Sequence, residues 1–239
     1  MFEFDRDFTL KALKSLSFAR NYKRNIFERE IKPFIGNVVL EVGAGIGIFA
    51  DFLISSKAHL VILTDADDSF LKILKKNFSI PKVIVEKLDM NYEIDGRFNL
   101  LNIDTVIANH VIEHTNDDVS LYNISRILVP GGFFILRVPA FNIFYNRIDK
   151  RFGHVKRYTK KTLQDSLKRH GFETLICEYR DAFKIFPWII FGFSDLTSDL
   201  LFSQAVIELM DKIYGRFKFV FDVSLPFGAD IYCVARKAL

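Results

Sequence analysis

Three glycines at alternate positions, Gly43, Gly45 and Gly47, follow directly on the apolar run Val38–Val42, which carries one carboxylate, Glu41. A buried strand that breaks into a glycine turn and reopens as a helix leaves backbone amides bare at the carboxyl end of a sheet. Glycine suits such a turn because a Cβ would oppose both a positive φ and the close approach of a ligand. This arrangement serves a nucleotide-type cofactor at the edge of a parallel sheet. The spacing is not the dinucleotide fingerprint Gly-x-Gly-x-x-Gly, because the sixth position is Ile48. Two more carboxylates, Asp65 and Asp89, end the apolar runs Leu60–Thr64 and Lys82–Leu88. Asp65 can accept both hydroxyls of a ribose, and Asp89 can accept from an adenine amine while Met90 packs on the ring. Further along, His110, His114 and His154 are the side chains that could move a proton near neutral pH.

These groups converge only if each sits at the end of a strand in one sheet. Strand-type and helix-type runs alternate, which predicts an α/β fold. A single amphipathic N-terminal helix is expected over Phe8–Lys32, before Pro33. Strands are expected at Val38–Val42, Leu60–Thr64, Lys82–Leu88, Ile103–Ala108 and Phe133–Pro139, with helices at Ile46–Ser55, Asp67–Asn77 and Asp117–Leu128 between them. The last helix should stop at Val129-Pro130-Gly131-Gly132, in the order that ends a helix and opens a turn. Thr159 caps a helix over Lys160–His170 closed by Gly171. Strands near Glu173–Tyr179 and Asp230–Ala235 flank an aromatic insertion, Phe183–Phe221, helical in parts.

Taken together, Glu41–Gly47, Asp65, Asp89, the segment Asp104–His114 and Leu128–Phe134 resemble motifs I to IV and the Pro-Gly-Gly segment of class I S-adenosylmethionine (SAM)-dependent methyltransferases. They are most similar to the group that includes the ubiquinone-biosynthesis methyltransferases, and they cover Val38–Pro139. Asn21-Tyr22, Pro33–Gly36, His154–Tyr158, His170–Phe172 and Leu225–Gly228 resemble a bacterial and archaeal subgroup often found beside sugar- and glycolipid-assembly genes. The resemblance implies a Rossmann-like, seven-stranded, mostly parallel sheet with helices on both faces, an antiparallel last strand and a helical C-terminal insertion. It implies SAM as cofactor and S-adenosylhomocysteine (SAH) as product. Glu41, Gly43, Ala44, Gly45 and Gly47 would contact the methionine and ribose end, and Asp65 and Ala66 the ribose and adenine. Asp89 and Met90 would hold the adenine, Asn109 would lie beside the sulfonium, and Tyr22 could close over the cofactor. One domain is expected over 1–239: a helical cap at 1–36, a SAM-binding core at 37–140, and an acceptor-side part at 141–239.

Two departures from the family bear on the acceptor. Asn109-His110 is not the Asn/Asp-Pro-Pro-Tyr loop of amino-directed nucleic-acid methyltransferases, which counts against a base substrate. His110-Val-Ile-Glu113-His114 matches an inverted zinc-protease string, but it begins at a strand end, and the related quinone methyltransferases carry Glu where His110 stands. No metal is therefore expected. The expected reaction is O-methylation of a small-molecule, sugar or lipid-linked acceptor. His110 or His154 would act as base, His114 would be structural, and Arg157 and Tyr158 would orient an anionic or sugar acceptor.

Bulk properties bound the rest. The 239 residues are 50% hydrophobic, enough for one sizeable core, and the net charge is +4. Nine basic residues against two acidic ones lie between Arg147 and His170, either a solvated face or the footprint of an anionic partner. An RNA methyltransferase using 147–170, or a SAM-binding module without catalysis, is the alternative reading. Cys177 and Cys233 are expected to be buried thiols in a reducing compartment. The acidic N-terminus has no signal-type apolar region and no run reaches a membrane span, so a cytoplasmic location is expected. The insertion's aromatic residues, among them Phe219 and Phe221, could form core, a homodimer face, an acceptor lid or a contact with a membrane surface.

Overall fold

In the computed structural model the described residues are 4–94, 96–221 and 225–239. A seven-stranded sheet forms the centre. Its strands are β1 (Val38–Val42), β2 (Leu60–Asp65), β3 (Val83–Lys87), β4 (Ile103–Asn109), β5 (Leu128–Pro139), β6 (Phe172–Arg180) and β7 (Asp230–Lys237). The order across the sheet is β3-β2-β1-β4-β5-β7-β6, and β7 runs antiparallel to both its neighbours. The expected Rossmann-like architecture is the one observed.

Period-two alternation explains why helices cover both faces. Leu40, Val42, Val106, Ala108, Phe134 and Leu136 point to a core shared with Leu121 and Ile124 of α5 (Asp117–Ile127) and Leu163 of α7 (Lys160–Arg169). Val39, Val61, Leu63, Ile107 and Ile135 point the other way. They meet Ile26 of α2 (Arg20–Ile26), Leu53 of α3 (Ala50–Ile54) and Leu71 of α4 (Asp68–Asn77).

Three expectations about boundaries are corrected. The N-terminal helix is broken: α1 (Arg6–Leu16) ends before Ser17, and α2 runs on through a π turn (Phe27–Ile31) and a 3-10 turn (Lys32–Phe34). The break is set from far away, because Asp211 accepts hydrogen bonds from the backbone N–H groups of Asn21 (3.1 Å) and Tyr22 (2.9 Å). The helix after the glycine turn starts only at Ala50, since residues 46–49 are still turning. The Pro130-Gly131-Gly132 segment does not separate helix from strand. It is a bulge inside β5, where the pairing slips between Ile103↔Leu128 and Thr105↔Phe133 and Gly131 takes φ +76°.

The insertion folds as α8 (Ile185–Phe191), α9 (Asp195–Leu201) and α10 (Gln204–Phe221), the last kinked at Phe217. The side chains of Phe219 and Phe221 lie outside the described residues. A shorter helix, α6 (Arg147–Phe152), starts in a capping box at Asn146. Phe8 and Ala12 of α1, Ile148 of α6, Leu201 at the end of α9 and Phe202 just after it form a third apolar cluster above the strand ends. Cys233 is buried but Cys177 is only half-buried, and the two face each other in register across β6 and β7. No helix among the described residues is long and apolar enough to cross a membrane.

Candidate active site

The glycine turn after β1 is tied to its neighbours by backbone and carboxylate alike. Ala44 N–H donates to Thr64 O (2.8 Å), and Gly45 N–H donates to Asp65 Oδ2 (2.8 Å). Gly43, Gly45 and Gly47 all have positive φ. A Cβ on Gly43 would come within 2.6 Å of Val111, and one on Gly47 within 2.4 Å of the Phe78 ring. Gly43 thus faces the site, whereas Gly47 exists for helix packing against α4.

A cavity of about 610 Å³ opens at the strand ends, and it brings together most of the expected site residues. Glu41, Gly43, Ala44, Gly45, Asp65, Ala66, Asp89, Met90, Asn109, His110 and His154 line it. Gly47 and Tyr22 do not. Tyr22 instead donates its hydroxyl to Asp181 and accepts from Lys184 Nζ (2.5 Å), in a buried ionic network with Arg137. The place expected for Tyr22 is taken by Leu13 of α1, which lies against Gly45, with α1 fastened at its start by Arg6 to Asp67 (2.8 Å).

Electrostatics mark the cradle. Glu41 is 3% exposed, its Oε2 has no hydrogen-bond partner, and burial reinforced by Asp65 pushes its carboxyl up to about 8. Asn109 Oδ1 is likewise buried and unpartnered. Asp65 is raised by burial, against the amides of Asp67 and Gly45 that bond it. These orphaned acceptors are the groups a ligand with an ammonium and a ribose would satisfy, so the residues present fit SAM.

Beyond Asn109 the backbone turns left-handed at His110 (φ +57°), a conformation costly outside glycine. His110 Nδ1 lies 3.1 Å from Glu113 Oε1, and Nε2 lies 3.6 Å from Asp230 Oδ2. Burial disfavours its charge, but Asp230 and Glu113 outweigh that and raise it to about 9. Both ring nitrogens therefore face carboxylates. His154 is placed differently. Its Nδ1 meets Asp149 Oδ1 at 2.8 Å, while Nε2 lies 3.8 Å from Glu113 Oε1, beyond hydrogen-bond length. Asp149 also accepts from Arg157 Nε (2.9 Å) and Asn146 N–H (2.9 Å). His114 stacks edge-on to His154, and burial drives it down to about 4, so it is neutral.

The inverted zinc string is not assembled as its spacing suggests, since His110 turns toward Asp230. Glu113, His114 and His154 do bring donor atoms within 4.8 Å of one another. Glu113 Oε1 and His154 Nδ1 are bonded to His110 and Asp149, while Glu113 Oε2 is buried without a partner and His154 Nε2 is beyond hydrogen-bond length of Glu113. Trp188, one of the insertion's aromatic residues, lines the cavity, and so do Lys184 and Asp230, which escaped the sequence reading. They come from the insertion and from the first residue of β7, where no local pattern distinguishes them. Arg157 lines the cavity too, but Tyr158 turns into the core.

Comparison with known proteins agrees with this geometry. Residues 16–176 match a family model described as a methyltransferase domain. A polyketide methyltransferase of Ustilaginoidea virens is 30% identical over 131 residues, which is 51% of this chain and 30% of that protein. The chain thus matches less than a third of the length of this curated relative. A SAM-dependent methyltransferase from Archaeoglobus fulgidus superposes with a TM-score of 0.59 at 18% identity, covering 92% of this chain and 94% of that one. Phosphoethanolamine N-methyltransferase 2 of Haemonchus contortus, solved with SAM, superposes at 0.61 and 18% identity, covering 92% and 53%. The family match takes in well over half of the chain and includes the glycine turn and both cradle aspartates, so the chain belongs to the class I SAM-dependent methyltransferase domain family.

Proposed function

We propose that this chain transfers a methyl group from SAM to a hydroxyl oxygen of a small-molecule, sugar or lipid-linked acceptor, with His154 taking the hydroxyl proton. The observation that carries this reading is that one cavity joins the Glu41–Asp65–Asn109 cradle to a histidine oriented by a buried carboxylate. SAM supplies an already activated methyl group when bound. The protein's work is then to hold the cofactor, align the acceptor and accept one proton. His154 Nε2 is the ring nitrogen left without a hydrogen bond, and Asp149 and Glu113 on either side would stabilise the imidazolium once formed. His110, charged at neutral pH, serves as a fixed cation at the acceptor side.

Four of the nine cations in the basic segment are paired within the chain, which favours a small acceptor over RNA. Arg151 pairs with Asp5 and Asp199, Lys156 with Asp117, Arg157 with Asp149 and Arg169 with Asp118. Those cations face their own chain's carboxylates.

Calorimetric titration with SAM and SAH tests the cofactor half. Micromolar binding of both is expected, and no binding by either overturns the reading. Transfer of an isotope-labelled methyl group into hydroxyl-bearing acceptors tests the rest. Asp65→Ala should weaken SAM binding by about 1.5–3 kcal/mol, because the carboxylate both braces Gly45 and meets the ribose. Unchanged affinity would mean the ribose lies elsewhere.

Glu41 adds a pH signature. It is protonated below about 8 in the free protein, whereas pairing with the cofactor's ammonium requires its anion. The ammonium itself ionises at roughly 7.7–8.0. Affinity should therefore rise with pH toward a maximum near the point where the two titrations meet. On the acid side about one proton should leave per cofactor bound. Titrations in two buffers of different ionisation enthalpy read that proton, and Glu41→Gln should abolish it.

A further inference from the structure

The part of the cavity outside the strand-end cradle is walled by Leu16, Phe152, Trp188, Phe202, Ile207 and Met210. They come from α1, α6, α8, α10 and the turn after α9. The charged side chains reaching that part are already engaged with the protein. His110 faces Glu113 and Asp230, His154 faces Asp149, Arg157 bonds Asp149 and Ala140 O, and Lys184 bonds Tyr22 and Asp230. Among the described lining residues of this part, the buried donor left without a partner is Trp188 Nε1. A sugar seated here would bury several hydroxyls against aliphatic and aromatic walls, each losing water without replacement. An apolar body carrying one oxygen would lose nothing of the kind.

A second observation lies on the outside of the same wall. Helix α8 has the sequence Ile-Phe-Pro-Trp-Ile-Ile-Phe, without one charged side chain and with the Trp188 indole N–H as its one polar side-chain group, and none of its residues is buried. Pro187 and Trp188 turn into the cavity, whereas Phe186 is 72% exposed, Ile190 44%, and Phe193 just beyond 75%. A helix apolar all round but not buried marks contact with an apolar phase.

Building on the reading of this cavity as the methyl-transfer site, we infer that its acceptor is a lipid-type molecule. An apolar chain or ring body lies between Leu16, Phe202 and Met210, and its single reacting hydroxyl points toward His154. The acceptor hydroxyl gains the methyl carbon as the methyl–sulfur bond breaks. Its proton goes to His154 Nε2, and SAH leaves with the bonding electrons on sulfur.

Trp188 is the chain's one tryptophan, so its fluorescence reports on this chamber alone. The SAH-loaded protein is titrated with decan-1-ol and, separately, with methyl β-D-glucoside. A saturable fluorescence change with decanol and none with the glucoside is the expected result. Met210→Arg should weaken the decanol response at least tenfold while SAH binding, read by calorimetry, stays unchanged. If that variant does not fold by circular dichroism, the half-buried Leu16→Gln takes its place. A response to the glucoside without one to decanol, or no response to either, overturns the inference. Failure of SAH to bind while decanol still does overturns the site reading beneath it, and the two failures are told apart by the separate titrations. Given the expected fluorescence result, co-sedimentation with phosphatidylcholine vesicles separates the two sources of such an acceptor. Retention points to delivery from a bilayer, and passage to a free apolar molecule.

Discussion

Replacing His154 by glutamine should lower kcat by about 10²–10⁴-fold while leaving SAH affinity unchanged. Asp149 stays held by Arg157 and by Asn146 N–H, so the fold of the 145–158 segment is preserved, but the proton acceptor is gone. The size follows from where His154 sits: Asp149 fixes its Nδ1, and Nε2 is presented without a competing hydrogen bond. His110 is the instructive control. Its nitrogens face Glu113 and Asp230, and its proton is held up to about 9, so it offers no basic nitrogen near neutral pH. Single-turnover methyl transfer with each variant separates the two. An equal or larger loss in His110→Gln, with His154→Gln near wild type, would transfer the proton to the other histidine.

Arg137→Ala should cost about 3–5 kcal/mol of stability, a large part of what a domain of ordinary stability possesses. Arg137 is 4% exposed near the C-terminal end of β5, and its guanidinium reaches Glu30 (3.1 Å), Asp181 (2.5 Å) and Asp230 (3.4 Å). Those carboxylates arrive from the π turn after α2, the residue after β6 and the first residue of β7. Removing the cation leaves them buried with Lys184, Arg180 and His110 as the remaining cations nearby. Urea denaturation at an unchanged m-value measures the loss. The deficit should shrink as the pH falls and the carboxylates take up protons, because protonation removes the uncompensated charge. A loss below 1 kcal/mol would mean that water or Lys184 replaces the guanidinium fully.

The cofactor side was legible in the sequence because its signals are local. Val38–Val42 forms the expected strand residue for residue, and the glycine turn and both aspartates follow strand ends that hydrophobic runs predict by themselves. The acceptor side was not, because its residues are placed by contacts far apart in the chain. The cap of α2 is a carboxylate 190 positions away, so a continuous apolar period through Phe18 and Ala19 read as one helix. Tyr22 was expected over the cofactor, yet an ionic network holds it elsewhere and Leu13 covers the turn instead. Asp230 looked like an ordinary strand start until β7 was seen to insert beside β5.

That insertion also orders events in time. As the chain leaves the ribosome from its N-terminus, β5 and β6 appear well before Asp230–Lys237, yet the two never pair with each other and both pair with β7. Until that strand emerges, β5 presents a long apolar edge and Arg137 lacks Asp230. The nascent sheet is thus left with an open β5 margin and β6 without a strand to pair with, a window for chaperone binding or misassembly that closes only when β7 slides between them.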